Sequence, residues 1–260
     1  MWDGPRPTTT RLRRMCDPLP LTGERTVPGI PEENYWFRRH EIAYLAITSR
    51  YAGKSVFEAG SGEGYGAAML ADGGASVTAL DYDESAVAHV RAAYPAVTML
   101  HGNLAELPLE DASVDAVVNF QVIEHLWDQP QFLREVARIL RPGGELAIST
   151  PNRVTFSPGR DTPLNPFHTR ELNSAELVEL LEEAGLEVTE KLGVFHGARL
   201  AELDRRHGGS FIDAQIERSL AGEPWPEELS NDVAAVAAQD FDLRADAPDS
   251  LDLFFYARKP

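Results

Sequence analysis

Residues 56–64 read Val-Phe-Glu-Ala-Gly-Ser-Gly-Glu-Gly, and Asp81 closes the next apolar run. Glycines let backbone pass close to a ligand and adopt positive φ at little steric cost. An acid about 20 residues beyond such a turn accepts hydrogen bonds from a ribose diol. The pair predicts a site for an adenosine-containing cofactor. The spacing Gly60-x-Gly62-x-Gly64 departs from the dinucleotide fingerprint, because Tyr65 stands where the third glycine belongs. Glu58 and Glu63 flank the turn and would repel a pyrophosphate. An acid at Glu58 suits a cofactor with a cationic amino group and a sulfonium.

Further polar and aromatic residues fall just past other apolar runs. Tyr82 offers a flat surface for adenine. Asn103, followed by Leu104, can pair with the adenine edge or cap its own turn. Gln121 ends the run 114–119, and Glu124 and His125 follow it. A histidine with an ordinary pKa near 6.5 suits proton acceptance at neutral pH. His125 is the first candidate for a general base, and His168 is the second. Each also has a structural reading, as a cap or a loop brace. Glu124 would orient His125 or form a surface ion pair. Glu124, His125 and His168 together could hold a divalent metal, although their spacing carries no metal signature. Tyr35, Trp36 and Phe37 are candidates to cover the cofactor or to offer a stacking surface, or else they pack in the core. Arg38 and Arg39 offer guanidinium forks to a carboxylate, or else point to solvent.

These residues need a scaffold that brings strand ends together. Strands are expected near 55–59, 76–80, 97–101, 114–119, 145–149, 187–195 and 251–257. Helices are expected near 64–72, 84–93, 130–140 and 173–184, with another over 31–50. Asp83 caps the second of these, and Pro130 suits a first helical turn. Asn173 and Glu176 have capping-box spacing. Such alternation predicts an α/β, Rossmann-like fold with a mostly parallel seven-stranded sheet. Residues 1–30 read as a flexible arm and 31–260 as a single domain. Residues 196–248 form a helical insertion before an antiparallel last strand, far longer than a hairpin loop. It would serve as a lid, an oligomer contact or a packed structural piece.

The 260 residues carry a net charge of −17 and are 43% hydrophobic. That balance argues against nucleic acid or an anionic membrane as the main partner. Arg11, Arg13 and Arg14 make one local basic patch. A lone Cys16 fits a reducing cytosol, so a cytoplasmic location is expected. No apolar run reaches the length of a membrane span. A homo-oligomer remains open.

The whole stretch from about 53 to 152 resembles the class I S-adenosylmethionine-dependent methyltransferases. The resemblance rests on Glu58-x-Gly60-x-Gly62-x-Gly64, on residues 108–115 and on Leu140-Arg141-Pro142-Gly143-Gly144. It implies S-adenosylmethionine as cofactor and S-adenosylhomocysteine as product. Glu58, Gly60, Ser61, Gly62, Asp81, Tyr82, Asn103, Leu104 and Gln121 then belong to the cofactor site. Residues 21–25, 149–153 and 165–168 resemble a subgroup associated with bacterial carbohydrates. Residues 33–40, 120–128, 155–163 and 207–215 resemble 1-O-methyltransferases of mycobacterial methylmannose polysaccharide. That similarity implies methyl transfer to the anomeric hydroxyl of a short 3-O-methylated mannoside. Composition and periodicity say nothing of the sugar. Two other readings stay open: a methyltransferase of another small metabolite or lipid, and a non-catalytic cofactor-binding subunit.

Overall fold

A computed structural model of the chain describes residues 25–222, 224–245 and 248–260. Arg11, Arg13, Arg14, Cys16 and the segment 21–24 lie outside them. A 3-10 turn, Pro31–Glu33, leads into α1, Asn34–Thr48. Then come β1 Ser55–Ala59, α2 Tyr65–Asp72, β2 Ser76–Asp81, α3 Glu84–Ala93 and β3 Thr98–His101. Next are β4 Val114–Phe120, α4 Gln129–Ile139, β5 Leu140–Pro151, the short α5 Arg153–Phe156 and α6 Ser174–Glu183. The chain finishes with β6 Glu187–His196, α7 Ala198–Arg206, α8 Phe211–Ala221, α9 Glu227–Ala234, β7 Phe241–Ala245 and β8 Asp252–Arg258.

The strand order is β3-β2-β1-β4-β5-β8-β6-β7. Strands β1 to β5 run parallel. Strand β8 is antiparallel to both of its neighbours, β5 and β6. The order reverses between β1 and β4, which opens a crevice at their carboxyl ends. An eighth strand, β7, extends the sheet within the segment expected to be helical; it pairs antiparallel with β6. Strand β5 begins directly at the end of α4, and Gly143 and Gly144 lie in the irregularity where its register with β4 shifts.

Buried apolar residues cover both faces of the sheet. Phe132, Leu133 and Val136 of α4 join Leu177 and Leu181 of α6 against one face. Tyr44, Ile47, Leu70, Val87 and Val90 of α1 to α3 cover the other. This is the stripe spacing the sequence shows for α4 and α6. A third cluster is the insertion's own: Leu200, Leu203, Phe211, Val233 and Phe241 gather around Tyr35. Helix α1 therefore packs on the sheet with one end and on the insertion with the other. The caps form as expected. Asp83 accepts from Ser85 N, and Asn173 and Glu176 make a reciprocal capping box.

Candidate active site

Strand β1 delivers Glu58 to the crevice almost fully enclosed, at 1% exposure. Neither of its carboxylate oxygens has a hydrogen-bond partner among the described residues. Burial pushes its pKa up to about 8, with the nearby Asp81 charge adding to the rise. The neighbouring Tyr44 hydroxyl and Ala67 amide offset part of it. A buried acid whose neighbouring donors make no well-formed hydrogen bond to it fits a cofactor that brings a cationic ammonium.

The turn after β1 lies against the segment after β4. Gly60 sits at φ +83°, and a Cβ there would stand 2.6 Å from Val122 Cγ1. Gly62 N donates to Asp81 Oδ2 at 2.8 Å, and Asp83 N donates to Oδ1 at 3.0 Å. Each oxygen keeps a further lone pair for a ribose hydroxyl. Ser61 is buried, with its hydroxyl on the Met99 sulfur. The ring of Tyr82 is 63% exposed beside Asp81. Gln121 holds φ +57°, a left-handed conformation rare for a residue with a side chain. Such strain at a strand end marks positions where geometry serves function. Its amide also bonds Ser149 Oγ at 3.1 Å, tying β4 to β5.

Several expected site residues stand elsewhere. Tyr35 does not reach the glycine turn. It is fully buried in the insertion core, and its hydroxyl donates to His196 Nε2 at 2.7 Å. Arg38, offered as a fork for the cofactor carboxylate, has a partner of its own. It pairs with Glu41 at 2.6 Å, one helical turn along. Leu104 buries its side chain in the core under α4. The Asn103 side chain caps its own turn, accepting from Ala105 N at 2.9 Å. Glu63 points away from the turn, where His89 at 2.8 Å and Tyr94 at 3.0 Å hold its carboxylate. Its repulsion of a pyrophosphate therefore drops out, and Glu58 alone carries that argument.

Two other residues cover the turn: Arg25, which the sequence does not mark as a site residue, and Phe37, one of the three aromatics offered as a cover. Arg25 packs its Cβ over Gly62 and pairs with Asp83. Phe37 sets its ring edge-on to Tyr65, 5.0 Å between centroids. Only the helical offset between Tyr35 and Phe37 could have separated them.

The two histidines come together. Their rings are 4.8 Å apart between centroids and nearly perpendicular. His125 lies in a 3-10 turn, Ile123–His125, just past β4. Its Nδ1 stands 3.0 Å from the Phe167 carbonyl oxygen. A carbonyl only accepts, so Nδ1 carries the proton and Nε2 is the basic nitrogen. Glu124 does not orient that ring by direct bonding: its Oε1 is 4.0 Å from Nε2. It is 1% exposed, accepts from Thr150 Oγ1 at 2.9 Å, and has its pKa pushed up to about 7 by burial. The neighbouring His168 opposes that rise. His168 has both nitrogens engaged. Nδ1 donates to Glu171 at 2.7 Å, and Nε2 accepts from the Asn165 amide at 3.1 Å. It therefore braces the loop after β5.

Donor atoms of Glu124, His125 and His168 all lie within 4.8 Å of one another. Bonds of about 2.0–2.2 Å to one divalent ion bring donors closer than the 4.0 Å seen here between Glu124 and His125. The set can hold such an ion after a small inward movement of the side chains and release of the Asn165 amide from His168 Nε2.

A methyltransferase-domain family model matches residues 57–148, the β1–β5 core. A probable S-adenosylmethionine-dependent methyltransferase of Mycolicibacterium smegmatis is 67% identical over 246 residues, spanning 93% of this chain and 96% of that protein. The chain belongs to the S-adenosylmethionine-dependent methyltransferases. Another probable member, from Mycobacterium tuberculosis, is 60% identical to this methyltransferase over 93% of its chain and 90% of the relative. A solved S-adenosylmethionine-dependent methyltransferase of Thermotoga maritima shares the fold, with a TM-score of 0.59 and 19% identity. It matches 88% of this chain and 95% of that one. S-adenosylmethionine is the cofactor of this methyltransferase, and the glycine turn, Glu58 and Asp81 fit it. No helix among the described residues is long and apolar enough to cross a membrane.

Proposed function

We propose that this enzyme methylates a sugar hydroxyl, and that the acceptor is the anomeric 1-hydroxyl of a short 3-O-methylated mannoside. The observation that carries the reading is His125, held by the Phe167 carbonyl in the tautomer whose Nε2 accepts a proton. A sugar hydroxyl is a poor nucleophile until its proton has a destination. The flanking segments that resemble carbohydrate methyltransferases support the choice of acceptor. Exposed aromatic residues close to the histidines in sequence support it too. Trp127 is 94% exposed and Phe167 44%. Aromatic faces of this kind suit the apolar side of a sugar ring.

S-adenosylmethionine, when bound, would supply the electrophilic methyl, its sulfonium becoming the thioether of S-adenosylhomocysteine. The glycine turn and Asp81 would hold its adenosine end, and Glu58 would face its ammonium. His125 Nε2 takes the hydroxyl proton as the oxygen forms its new bond to carbon. Glu124 and Thr150 form a buried, polar floor beside the forming imidazolium. Glu124, raised to about 7 by burial, regains its negative charge most readily when a cation forms next to it.

The donor spacing of Glu124, His125 and His168 favours a second version of the same transfer, with a divalent ion binding the acceptor hydroxyl. Turnover lost in EDTA and restored by magnesium or manganese assigns the step to that version. Turnover unchanged in EDTA assigns it to His125 alone. The acceptor is tested by mass spectrometry of 3-O-methylmannosides incubated with enzyme and S-adenosylmethionine. A mass gain of one methyl is expected. Methylation of a lipid or another small metabolite, with every sugar untouched, overturns the sugar reading.

A further inference from the structure

The insertion stands over the loop that follows α5. Between them lies a cleft of about 490 Å³. Pockets of roughly 300–1,000 Å³ enclose small-molecule ligands. Phe156 and Arg160 line it from the loop, and Ile212, Asp213 and Ile216 from α8. None of the strand-end residues of the cofactor site lines it. Phe156 connects it to the reactive centre, for its ring lies 5.4 Å from that of His168, tilted by 31°.

The cleft is built and held rigid. Arg39 lines it and is 3% exposed. Its Nε and Nη2 grip Asp252 at 2.7 and 2.6 Å, so the guanidinium cannot swing away. Its Nη1 is enclosed and makes no hydrogen bond of good geometry among the described residues, although the Tyr35 hydroxyl lies close to the guanidinium. A buried guanidinium donor without a well-placed acceptor is costly, and a ligand oxygen relieves it. His196, also in the lining, accepts from Tyr35 and donates to Asp204, both at 2.7 Å. Asp204 in turn accepts from Phe211 N at 2.9 Å, which fixes the start of α8. The buried position of Tyr35 thus has a purpose: it ties α1 to the wall of the cleft.

The lining joins two chemistries. Arg160 and Asp213 bring opposite charges, which selects against a strongly charged ligand. Phe156, Ile212 and Ile216 bring apolar surface. A lipid tail would leave the charges unmet, and a fully polar ligand would leave the apolar wall unmet. A pyranose meets both, with hydroxyls on its rim and a C–H face on its ring.

We infer that this cleft is a second acceptor subsite, which holds sugar units beyond the one being methylated. The inference rests on the sugar-acceptor reading above. The test compares kcat/KM for free 3-O-methylmannose with kcat/KM for a short oligomannoside that carries the same sugar, its anomeric hydroxyl free, at the reducing end. Wild type, Arg160→Ala and Ile216→Ser are measured, with melting temperatures alongside to confirm folding. Wild type is expected to prefer the oligosaccharide. In each variant the oligosaccharide-to-monosaccharide ratio falls by about tenfold, the size of one lost side-chain contact. A wild type without length preference overturns the subsite. So do variants that lose activity equally on both acceptors. A wild type that methylates no sugar of any length, yet methylates another acceptor, overturns the sugar reading and the subsite together.

Discussion

The imidazole of His125 is set by Phe167, whose carbonyl oxygen stands 3.0 Å from Nδ1. The two residues lie 42 positions apart, on the loops that follow β4 and β5. The contact fixes which nitrogen is basic without using a carboxylate. His125→Ala is therefore expected to lower kcat by about 10²-fold or more, the range for a lost general base. Binding of S-adenosylhomocysteine, measured by calorimetry, should persist in that variant. Near-normal turnover would remove His125 from the chemistry and leave its ring a loop brace.

Glu58 makes cofactor binding pH-dependent. Its carboxyl titrates near 8 in the folded protein and near 4.5 when unfolded. Between those values the folded chain keeps a proton that the unfolded chain has released. Stability of the cofactor-free protein should fall as pH rises through that window. A cofactor ammonium favours the charged carboxylate, so binding expels the proton and strengthens as pH rises. Melting curves with and without S-adenosylhomocysteine should show a stabilisation that grows from about pH 5.5 to about pH 7.5. Glu58→Gln should flatten that trend. An unchanged trend in the variant would assign the dependence to another group.

Much of this architecture is legible in the residue order. Alternating apolar runs give the sheet, and the glycine turn with Asp81 marks its crevice. Local chemistry gives the caps at Asp83 and Asn173. Long-range pairing is what stays hidden. Arg38 and Arg39 are neighbours in sequence but about 100° apart around a helix. One faces Glu41 on the surface; the other finds Asp252, 213 positions away. Tyr35, Trp36 and Phe37 are all aromatic, so no apolar stripe tells which faces the insertion. Strand β7 is only five residues long, and Asp242 and Arg244 alternate with its apolar residues. So short a pattern inside a helical stretch carries little signal.

The Arg39–Asp252 pair should dominate the attachment of α1 to strand β8. Both side chains are nearly enclosed, at 3% and 1% exposure. Asp252→Ala leaves a buried guanidinium uncompensated, which costs about 3–5 kcal/mol. Urea unfolding should register that loss. Replacing both partners at once, Arg39→Met with Asp252→Leu, should recover most of it, because neither charge then needs burial. A double variant as unstable as Asp252→Ala would show that the pair is favourable in itself.

Gly60 and Val122 test whether close backbone approach is what holds the cofactor. In Gly60→Ala the new Cβ would lie 2.6 and 2.7 Å from the two Val122 methyl carbons. The residue must also keep φ near +83°, which costs an alanine roughly 1–2 kcal/mol. Relief requires the glycine turn and the segment after β4 to move apart. That segment carries Gln121 on one side of Val122 and His125 on the other. Both cofactor affinity and kcat should therefore fall, with affinity for S-adenosylhomocysteine reduced about tenfold, or about 1.4 kcal/mol. Adding Val122→Ala removes both methyl contacts but leaves its Cβ 3.2 Å away and φ unchanged. The double variant should regain part of the affinity and no more. A single variant that binds S-adenosylhomocysteine as tightly as wild type would mean that Glu58 and Asp81 hold the ligand without help from the turn.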